Sequence, residues 1–148
     1  MSQSPDLDGR TALVTGSAGR VGRELLLRIA DCGADVAVHY NESDAAAEAT
    51  AAEARERGVD AVAVGGDITD PEAVDSMFGT IESELGTVDV LVNNVGDFDA
   101  RHWTDIEWDA WRNVVETTFY GTVLCSRRAL PGMREAGWGR IVNVGFAD

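Results

Sequence analysis

Hydrophobic residues occur in five short runs, separated by longer segments in which apolar positions recur with helical spacing. Runs of this length that are rich in valine and alanine are typical of strands buried on both faces of a parallel sheet. Strands that alternate with helices predict an α/β fold with a doubly wound parallel sheet, because parallel strands need right-handed crossover connections. We expect five strands in the order 3-2-1-4-5. The five runs are Thr11–Gly16, Asp35–Tyr40, Asp60–Asp67, Val88–Asn94 and Arg140–Gly145.

The first two intervening segments predict amphipathic helices. In the first, Val21, Leu25 and Ile29 share one helical face, and Gly33 is suited to end the helix. The second, Ser43–Gly58, is rich in alanine and glutamate and ends at a glycine.

The third and fourth segments carry helix start signals. Asp70 is a favourable capping residue, and Pro71 after it suits the first helical position. Thr104–Glu107 has the spacing of a capping box, which predicts a fourth helix from there to about Leu130, before Pro131.

The length of 148 residues predicts a single domain over residues 1–148, with polar residues 1–9 mobile. No run of eighteen apolar residues and no signal-peptide pattern occurs, which argues against membrane insertion and secretion and favours the cytoplasm. Cys32 and Cys125 lack metal-site spacing, and we expect two buried thiols and no metal site. The four tryptophans are expected to pack within the domain.

The chain is strongly acidic, with 26 acidic residues against 12 basic ones and a net charge of −14. Every one of the 12 is arginine, and lysine is absent. Such a surface repels nucleic acid and anionic lipid, so neither is an expected partner. The charge fits either an ordinary solvated surface or a protein from a high-salt, halophilic cytoplasm, where screening weakens self-repulsion.

A glycine-rich segment follows the first strand and opens the first helix. Gly16, Gly19 and Gly22 stand where a diphosphate rests on free backbone N–H groups in a βαβ unit. The spacing is G-x-x-G-x-x-G, with Arg20 close to the glycines. The alternative is a turn that serves only the packing of the helix against the strand.

The segment "TGSAGRVG" resembles the T-G-x-x-x-G-x-G signature of the short-chain dehydrogenase/reductase family, with Arg20 at the middle glycine. The segments "GGDITD", "LVNNVG", "EWDAW", "ALPGM" and "GRIVNV" follow in the family's order. The arginine and "HYNES" resemble the pteridine-reductase-like branch, and a 3-oxoacyl-acyl-carrier-protein-reductase-like branch is the other candidate. The resemblance implies the cofactor-binding Rossmann portion of such an enzyme, without the family's C-terminal strands and helices.

The resemblance also implies a set of cofactor-binding residues. Asp67 would hydrogen-bond the adenine ring, or only brace its own turn. Arg20 would bind the cofactor's phosphates through charge-assisted hydrogen bonds, or be a plain surface arginine. The implied set is Gly16, Ser17, Gly19, Arg20, Val21, Gly22, Tyr40, Asn41, Asp67, Ile68, Asn93, Asn94, Val95 and Gly96.

The end of the second strand bears on which nucleotide is preferred. NAD-binding sites place a carboxylate there for the ribose hydroxyls. By the resemblance Tyr40 occupies this position, so no acidic group repels a 2′-phosphate, and NADP(H) is the expected cofactor. Glu42 argues in the other direction, because its charge lies where NADP-preferring relatives often carry arginine.

The family's acid–base motif, Y-x-x-x-K, has no counterpart. Asp44 follows Tyr40 by four residues, Leu124 follows Tyr120 by four, and there is no lysine to lower a tyrosine pKa. Thr118 stands at the family's relay asparagine and Phe146 at its carbonyl-polarising serine. No catalytic residue is therefore assigned.

The chain ends at Asp148, before the region where the family places that motif. Two functions remain open: an NADP(H)-dependent reductase of a carbonyl substrate whose catalytic residues lie outside this chain, or a non-catalytic dinucleotide-binding module or pseudoenzyme. A different nucleotide user on the same fold is a third. An uncovered sheet face and strand edge would favour low stability or self-association, so a homo-oligomer is possible.

The acidic surface generates a prediction about salt. If the chain is adapted to high salt, its melting temperature should rise by several degrees between roughly 0.1 and 3 M NaCl, because screening reduces repulsion among carboxylates. Calorimetric melting with matched sucrose solutions as control checks this. No rise with salt would contradict the halophilic interpretation.

Overall fold

The computed structural model describes residues 5–97 and 99–145, and a five-stranded parallel sheet runs through them. The strands lie in the order β3-β2-β1-β4-β5, all parallel to their neighbours, so the predicted doubly wound fold is confirmed. The strands are β1 (Thr11–Val14), β2 (Asp35–Tyr40), β3 (Ala61–Gly65), β4 (Val88–Asn93) and β5 (Arg140–Asn143).

Helices connect the strands and cover both faces of the sheet. The predicted caps of the third helix are present: the Asp70 side chain accepts a hydrogen bond from Glu72 N–H, and Pro71 is the first helical residue. The helices are α1 (Arg20–Ala30), α2 (Asp44–Arg55), α3 (Pro71–Glu84), α4 (Trp108–Val115) and α5 (Gly121–Ala136), with a 3₁₀ turn at Trp103–Asp105 and a π-helical turn at Glu116–Tyr120.

The apolar runs are buried because the sheet is covered on both faces. Alternate residues of β1 point to opposite sides: Ala12 and Val14 pack with α1 and α2, whereas Leu13 packs with α3 and α5. All six residues of β4 are buried as well. β1 and β4 therefore contribute side chains to both hydrophobic cores, one on each face of the sheet.

The predicted fourth helix is wrong at both ends. Thr104 lies in the 3₁₀ turn rather than in a capping box, and α4 begins only at Trp108 because Ile106 has extended backbone. The helical segment also continues through Pro131. It ends where Gly137 adopts φ 66° and Trp138 N–H donates to Met133 carbonyl oxygen, a Schellman closure. Pro131 is exposed on the surface of the helix, and its missing N–H leaves the carbonyl oxygen of Arg127 without its helical donor.

The buried face of α1 is offset from the predicted one. Leu26 and Leu27 are buried, whereas Leu25 and Ile29 lie at the margin of the core and Val21 is 62% exposed. Helical spacing defined a face but not its rotation toward the sheet, which packing determines.

Expectations about cysteine and tryptophan hold only in part. Cys125 is buried, which raises the pKa of its thiol to about 12, whereas Cys32 is half-buried. Trp138 packs on the core between two arginines, but Trp103 and Trp108 are 70% and 82% exposed.

The N-terminal segment contacts the domain from Leu7 onward. Leu7 packs against the core on the α1 side, and its N–H donates to the carbonyl oxygen of Cys32. The mobility predicted for residues 1–9 falls partly on residues 1–4, which lie outside the described residues.

The β5 side of the domain exposes apolar side chains. Val142 and Val144 are each more than 40% exposed at the edge strand, and Phe119 and Leu130 are exposed along the α4–α5 segment. These surfaces fit the premise of the self-association prediction, and the oligomeric state stays a prediction. Within residues 5–97 and 99–145, no helix is long and apolar enough to cross a bilayer, and no group of three potential metal ligands occurs.

Candidate functional site

A cleft of about 240 Å³ lies at the carboxyl ends of β1 to β4. Ligands of doubly wound sheets bind at this edge, where successive connections leave toward opposite faces. Of the predicted site residues, Gly16, Asn41, Asp67, Ile68 and Val95 line this one cleft. The topology therefore brings together residues from four separate strand ends.

The three glycines of the loop differ in whether the structure requires glycine at their position. Gly16 has φ 67°, a backbone conformation that favours glycine, and a side chain there would press on Val95. A Cβ on Gly22 would collide with the Gly16 carbonyl oxygen. Gly19 has extended backbone, and a Cβ there would meet nothing within 4 Å. Packing accounts for Gly16 and Gly22, but nothing in the described chain requires glycine at position 19.

The start of α1 carries unpaired backbone donors. Gly19 is its N-cap residue and provides no side-chain cap, and the N–H groups of the first helical turn have no carbonyl one turn earlier. Such a terminus attracts anions through its free N–H groups and the helix dipole. Because the space beside Gly19 is open, the terminus fits a diphosphate.

Arg20 and Val21 lie outside the cleft, on the exposed surface of the loop. Arg20 has φ 55°, a left-handed conformation that is unfavourable for a residue with a side chain. Its guanidinium makes no hydrogen bond or ion pair within the part of the chain that the structure describes. The Arg20 side chain is thus available to a ligand that binds at the N-terminus of α1.

Ser17 supports the loop from beneath. It is fully buried; its hydroxyl donates to the Val14 carbonyl oxygen at 2.7 Å and accepts from His39 N–H at 3.0 Å. Its own N–H donates to the His39 carbonyl oxygen. With these bonds made, Ser17 fixes the loop to β2 and has no donor left for a ligand.

Two residues outside the predicted binding set, Thr15 and His39, join the strand ends. The Thr15 hydroxyl oxygen accepts from Asn94 N–H at 2.9 Å and from Val95 N–H at 3.1 Å. Asn94 Nδ2 donates to the Thr15 carbonyl oxygen at 3.0 Å. The His39 ring bridges the glycine loop and the loop after β3. A polar residue in an otherwise apolar strand was the available signal for His39.

The end of β2 places three side chains differently. The half-buried Tyr40 ring packs over Gly65, where a Cβ would collide with it. Asn41 lines the cleft, and Glu42 is exposed beside it. Tyr40 therefore packs within the domain, and Asn41 is the residue of this segment that faces the cleft.

Asp67 is held in place by its own turn. Its carboxylate accepts from the backbone N–H of Thr69 at 2.8 Å and from the Thr69 hydroxyl at 2.7 Å, and these bonds lower the pKa of the carboxyl. The bracing alternative is thus present in the structure, while Asp67 also stays exposed at the cleft. Ile68 is buried against Gly121 of α5.

Asn93 and Gly96 do not line the cleft. The buried Asn93 donates through Nδ2 to Asn143 at 2.9 Å and to Ser126 at 3.1 Å, which ties β4 to β5 and α5. Its Oδ1 is buried without a partner in the described residues. Gly96 is exposed near the Thr118 side chain.

The opposite wall of the cleft comes from α4 and the π-helical turn, which sequence analysis did not assign to the site. Asn113, Glu116 and Thr117 line it. Asn113 Nδ2 also donates to Asp97 at 2.5 Å. π-Helical turns inside α-helices occur frequently at functional sites.

Comparison with known proteins decides the family. Residues 10–146 match the model of the short chain dehydrogenases. The chain belongs to this family. Short-chain dehydrogenases bind a nicotinamide dinucleotide.

Individual relatives agree with this membership. The chain is 35% identical to a short-chain type dehydrogenase/reductase of Picea abies, over 93% of this chain and 54% of that protein. It is 34% identical to a 3-oxoacyl-acyl-carrier-protein reductase of Staphylococcus aureus, over 91% and 55%. A crystal structure assigned to a short-chain alcohol dehydrogenase of Sinorhizobium meliloti superposes with a TM-score of 0.87 at 36% identity, covering 93% and 54%. This short-chain dehydrogenase chain spans about half the length of these relatives.

Of the positions compared earlier with the family's catalytic residues, Thr118 directly follows Thr117, which lines the cleft. Thr118 Oγ accepts from Asp97 N–H at 3.0 Å, so it orders the segment after β4. Tyr120 is exposed at the end of the π-helical turn of this short-chain dehydrogenase chain. Phe146 lies outside the described residues.

Proposed function

We propose that this chain binds NADP(H) at the cleft and serves hydride transfer between the nicotinamide and a carbonyl or alcohol substrate. The observation that carries the proposal is the open space at Gly19 beside the uncapped start of α1. A glycine without a packing or backbone reason is accounted for by a ligand that comes close to the chain. Family membership supports a dinucleotide as that ligand.

Each part of the dinucleotide would have its own residues. The backbone amides of the loop, Gly19 to Gly22, would hold the diphosphate, and Arg20 would add charge-assisted hydrogen bonds. The strained φ of Arg20 supports a functional role, since an outlier of this kind is retained where it serves a ligand. Asp67 and Ile68 would meet the adenine, and Asn41 the adenosine ribose. Asn94, Val95 and Gly96 would lie toward the nicotinamide half, with Asn93 supporting them from within the sheet.

A 2′-phosphate is accepted more readily where no carboxylate binds the ribose hydroxyls. Tyr40 is turned onto Gly65 and brings no charge to that position, which favours NADP(H). Glu42 is exposed nearby and weakens the preference without reversing it, because water screens its charge.

The chemistry divides between the cofactor and the protein. A bound nicotinamide supplies or accepts the hydride. The residues of this chain bind and orient the dinucleotide, and the Thr15 and Asn94 bonds hold the ends of β1 and β4 together. The proton is moved by residues outside this chain, because the chain contains no lysine to pair with either of its tyrosines.

The same absence of lysine favours a second candidate, a non-catalytic dinucleotide-binding module or pseudoenzyme. In both cases the chain would act as one domain in the cytoplasm and would have no nucleic acid or membrane partner. The net charge of −14 supports that exclusion and the high-salt setting.

Two glycine variants separate packing from binding. Gly22→Ala should destabilise the chain by about 2 kcal/mol or more through collision with the Gly16 carbonyl. Gly19→Ala should change stability by less than about 1 kcal/mol, because its methyl meets no chain atom. It should nevertheless weaken NADPH binding at least roughly tenfold by filling the space beside the amides. Urea unfolding and titration calorimetry measure the two effects. Unchanged affinity in Gly19→Ala, or no heat from either nicotinamide nucleotide with the folded chain, would overturn the proposal.

Arg20→Ala should weaken NADPH binding about tenfold, the effect of losing a charge-assisted hydrogen bond. Arg28→Ala is the matched control: it removes the same charge from the same helix, at a side chain that is 83% exposed and pairs only loosely with Asp31. Competitive titration should also show tighter binding of NADP(H) than of NAD(H). If both variants lost the same affinity for NADPH, Arg20 would act only as a surface charge. Tighter binding of NAD(H) than of NADP(H) would reverse the cofactor choice.

Turnover distinguishes the two candidate functions. We expect NADPH oxidation with an acetoacetyl thioester only when the chain is combined with the part of the Staphylococcus aureus reductase that it does not match, because the resemblance places the family's Y-x-x-x-K motif in that part. That part alone is the control. Dinucleotide binding without turnover in the combined sample would favour the non-catalytic module.

A further inference from the structure

His39 lines the cleft, and it is not among the cofactor-binding residues that the family resemblance implies. The residue is 2% exposed, and its ring lies between two loops. Gly16 N–H is 2.9 Å from Nδ1, and Nε2 is 2.8 Å from the Gly66 carbonyl oxygen. One ring therefore links the glycine loop after β1 to the loop that carries Asp67.

The two partners determine the protonation of the ring. A backbone N–H can only donate, so Nδ1 must be the unprotonated acceptor. A carbonyl oxygen can only accept, so Nε2 must carry the hydrogen. The bridge thus requires a neutral imidazole in the Nε2–H form. A proton added at Nδ1 would place two donors against each other, and Gly16 would have to move.

We propose that His39 is a positioning residue that holds the glycine loop in its dinucleotide-binding geometry, and that its protonation at acidic pH releases Gly16 and weakens binding. The inference rests on the proposed function, since it assigns the loop to a dinucleotide. It makes the affinity of the cleft dependent on pH through a group that does not touch the ligand.

The surroundings of the ring favour the neutral form. Burial lowers the pKa of His39, while the Gly66 carbonyl and Asp67 oppose this shift without cancelling it. The titratable groups that line the cleft together with His39 are Asp67, after β3, and Glu116, in the π-helical turn. The glycine loop brings no charged side chain into the cleft.

The direction of the pH effect follows from linkage. Because burial holds the pKa of His39 in the folded state below the usual histidine value of 6.5, the neutral ring stabilises the fold fully above about pH 6.5. This contribution is lost as pH falls toward the folded pKa. If only the neutral form holds the loop, apparent affinity falls with the neutral fraction, roughly tenfold for each pH unit below the folded pKa. A His39 that acted as a cation on a phosphate would give the opposite sign, with tighter binding in acid.

Nitrogen NMR of the imidazole rings tests the bridge without any ligand. The chain has two histidines, and the exposed His102, hydrogen-bonded to Thr104, is the internal reference. At neutral pH, His39 should show a protonated Nε2 and an unprotonated Nδ1, and its pKa should lie below the usual histidine value of 6.5. A protonated Nδ1, or a mixture of both forms like that of a free histidine, would overturn the proposal.

Calorimetric titration with the oxidised dinucleotides across acidic and neutral pH tests the coupling. His39→Asn keeps an oxygen acceptor for Gly16 and does not titrate, so it should bind within about threefold of wild type at neutral pH and lack the His39-linked loss in acid. His39→Leu removes the acceptor and should bind at least roughly tenfold more weakly at every pH. His102→Asn is the control and should keep the wild-type profile. Comparison with His39→Asn at each pH cancels titration of the nucleotide itself.

The failures are distinguishable. If wild type binds no dinucleotide at any pH, the proposed function fails, and the coupling with it. If wild type binds but His39→Asn keeps the wild-type pH profile, or if binding tightens in acid, only the role of His39 is wrong. Should His39→Leu not fold, the ring tautomer and the His39→Asn profile still decide the question.

Discussion

The close approach of the loop after β1 to the ends of the neighbouring strands is the constraint on which the site depends. Gly22 must lie against the Gly16 carbonyl, and that contact leaves no room for a side chain. The backbone groups brought together there are buried and need partners, because an unpaired buried polar group is costly. Thr15, Ser17 and His39 provide those partners. These hydrogen bonds pair the buried polar groups of the loop. They do not use the N–H groups at the start of α1, which stay available to a ligand.

Arginine provides the positive partner in the salt bridges of this very acidic chain. Arg128 on α5 binds Glu82 of α3 with two bonds of 2.8 Å and Asp75 with one of 2.7 Å, and these carboxylates raise its pKa. Arg10 binds Asp89 and lies over the Trp138 ring. Planar guanidinium groups can make several such bonds at once, which lysine cannot. Acidic residues nevertheless outnumber basic ones by 26 to 12, and exposed pairs contribute little stability.

The two sides of the domain differ in how much apolar surface they expose. The α1–α2 side closes around small residues such as Ala47 and Ala51, which are fully buried. On the β5 side, valines of the edge strand and aromatic residues along α4 and the π-helical turn remain in contact with water. The cleft lies where these regions meet, so its outer wall, with Glu116 and Thr117, belongs to the less buried part of the structure.

The sequence by itself determined the order and type of the main elements, the strand order and the glycine loop, because these follow from local periodicity, capping residues and the handedness of crossovers. It located Gly16 at the carboxyl edge of the sheet for the same reason. Asp67 and Val95 were placed there by the resemblance to the family. Tertiary structure alone decided the rotation of α1 that exposes Val21, the break before Trp108 and the passage of α5 through Pro131. It alone decided that the His39 ring joins two loops. The rotation of α1 and the His39 bridge depend on contacts between residues far apart in the chain, and such contacts leave no periodic trace in the sequence.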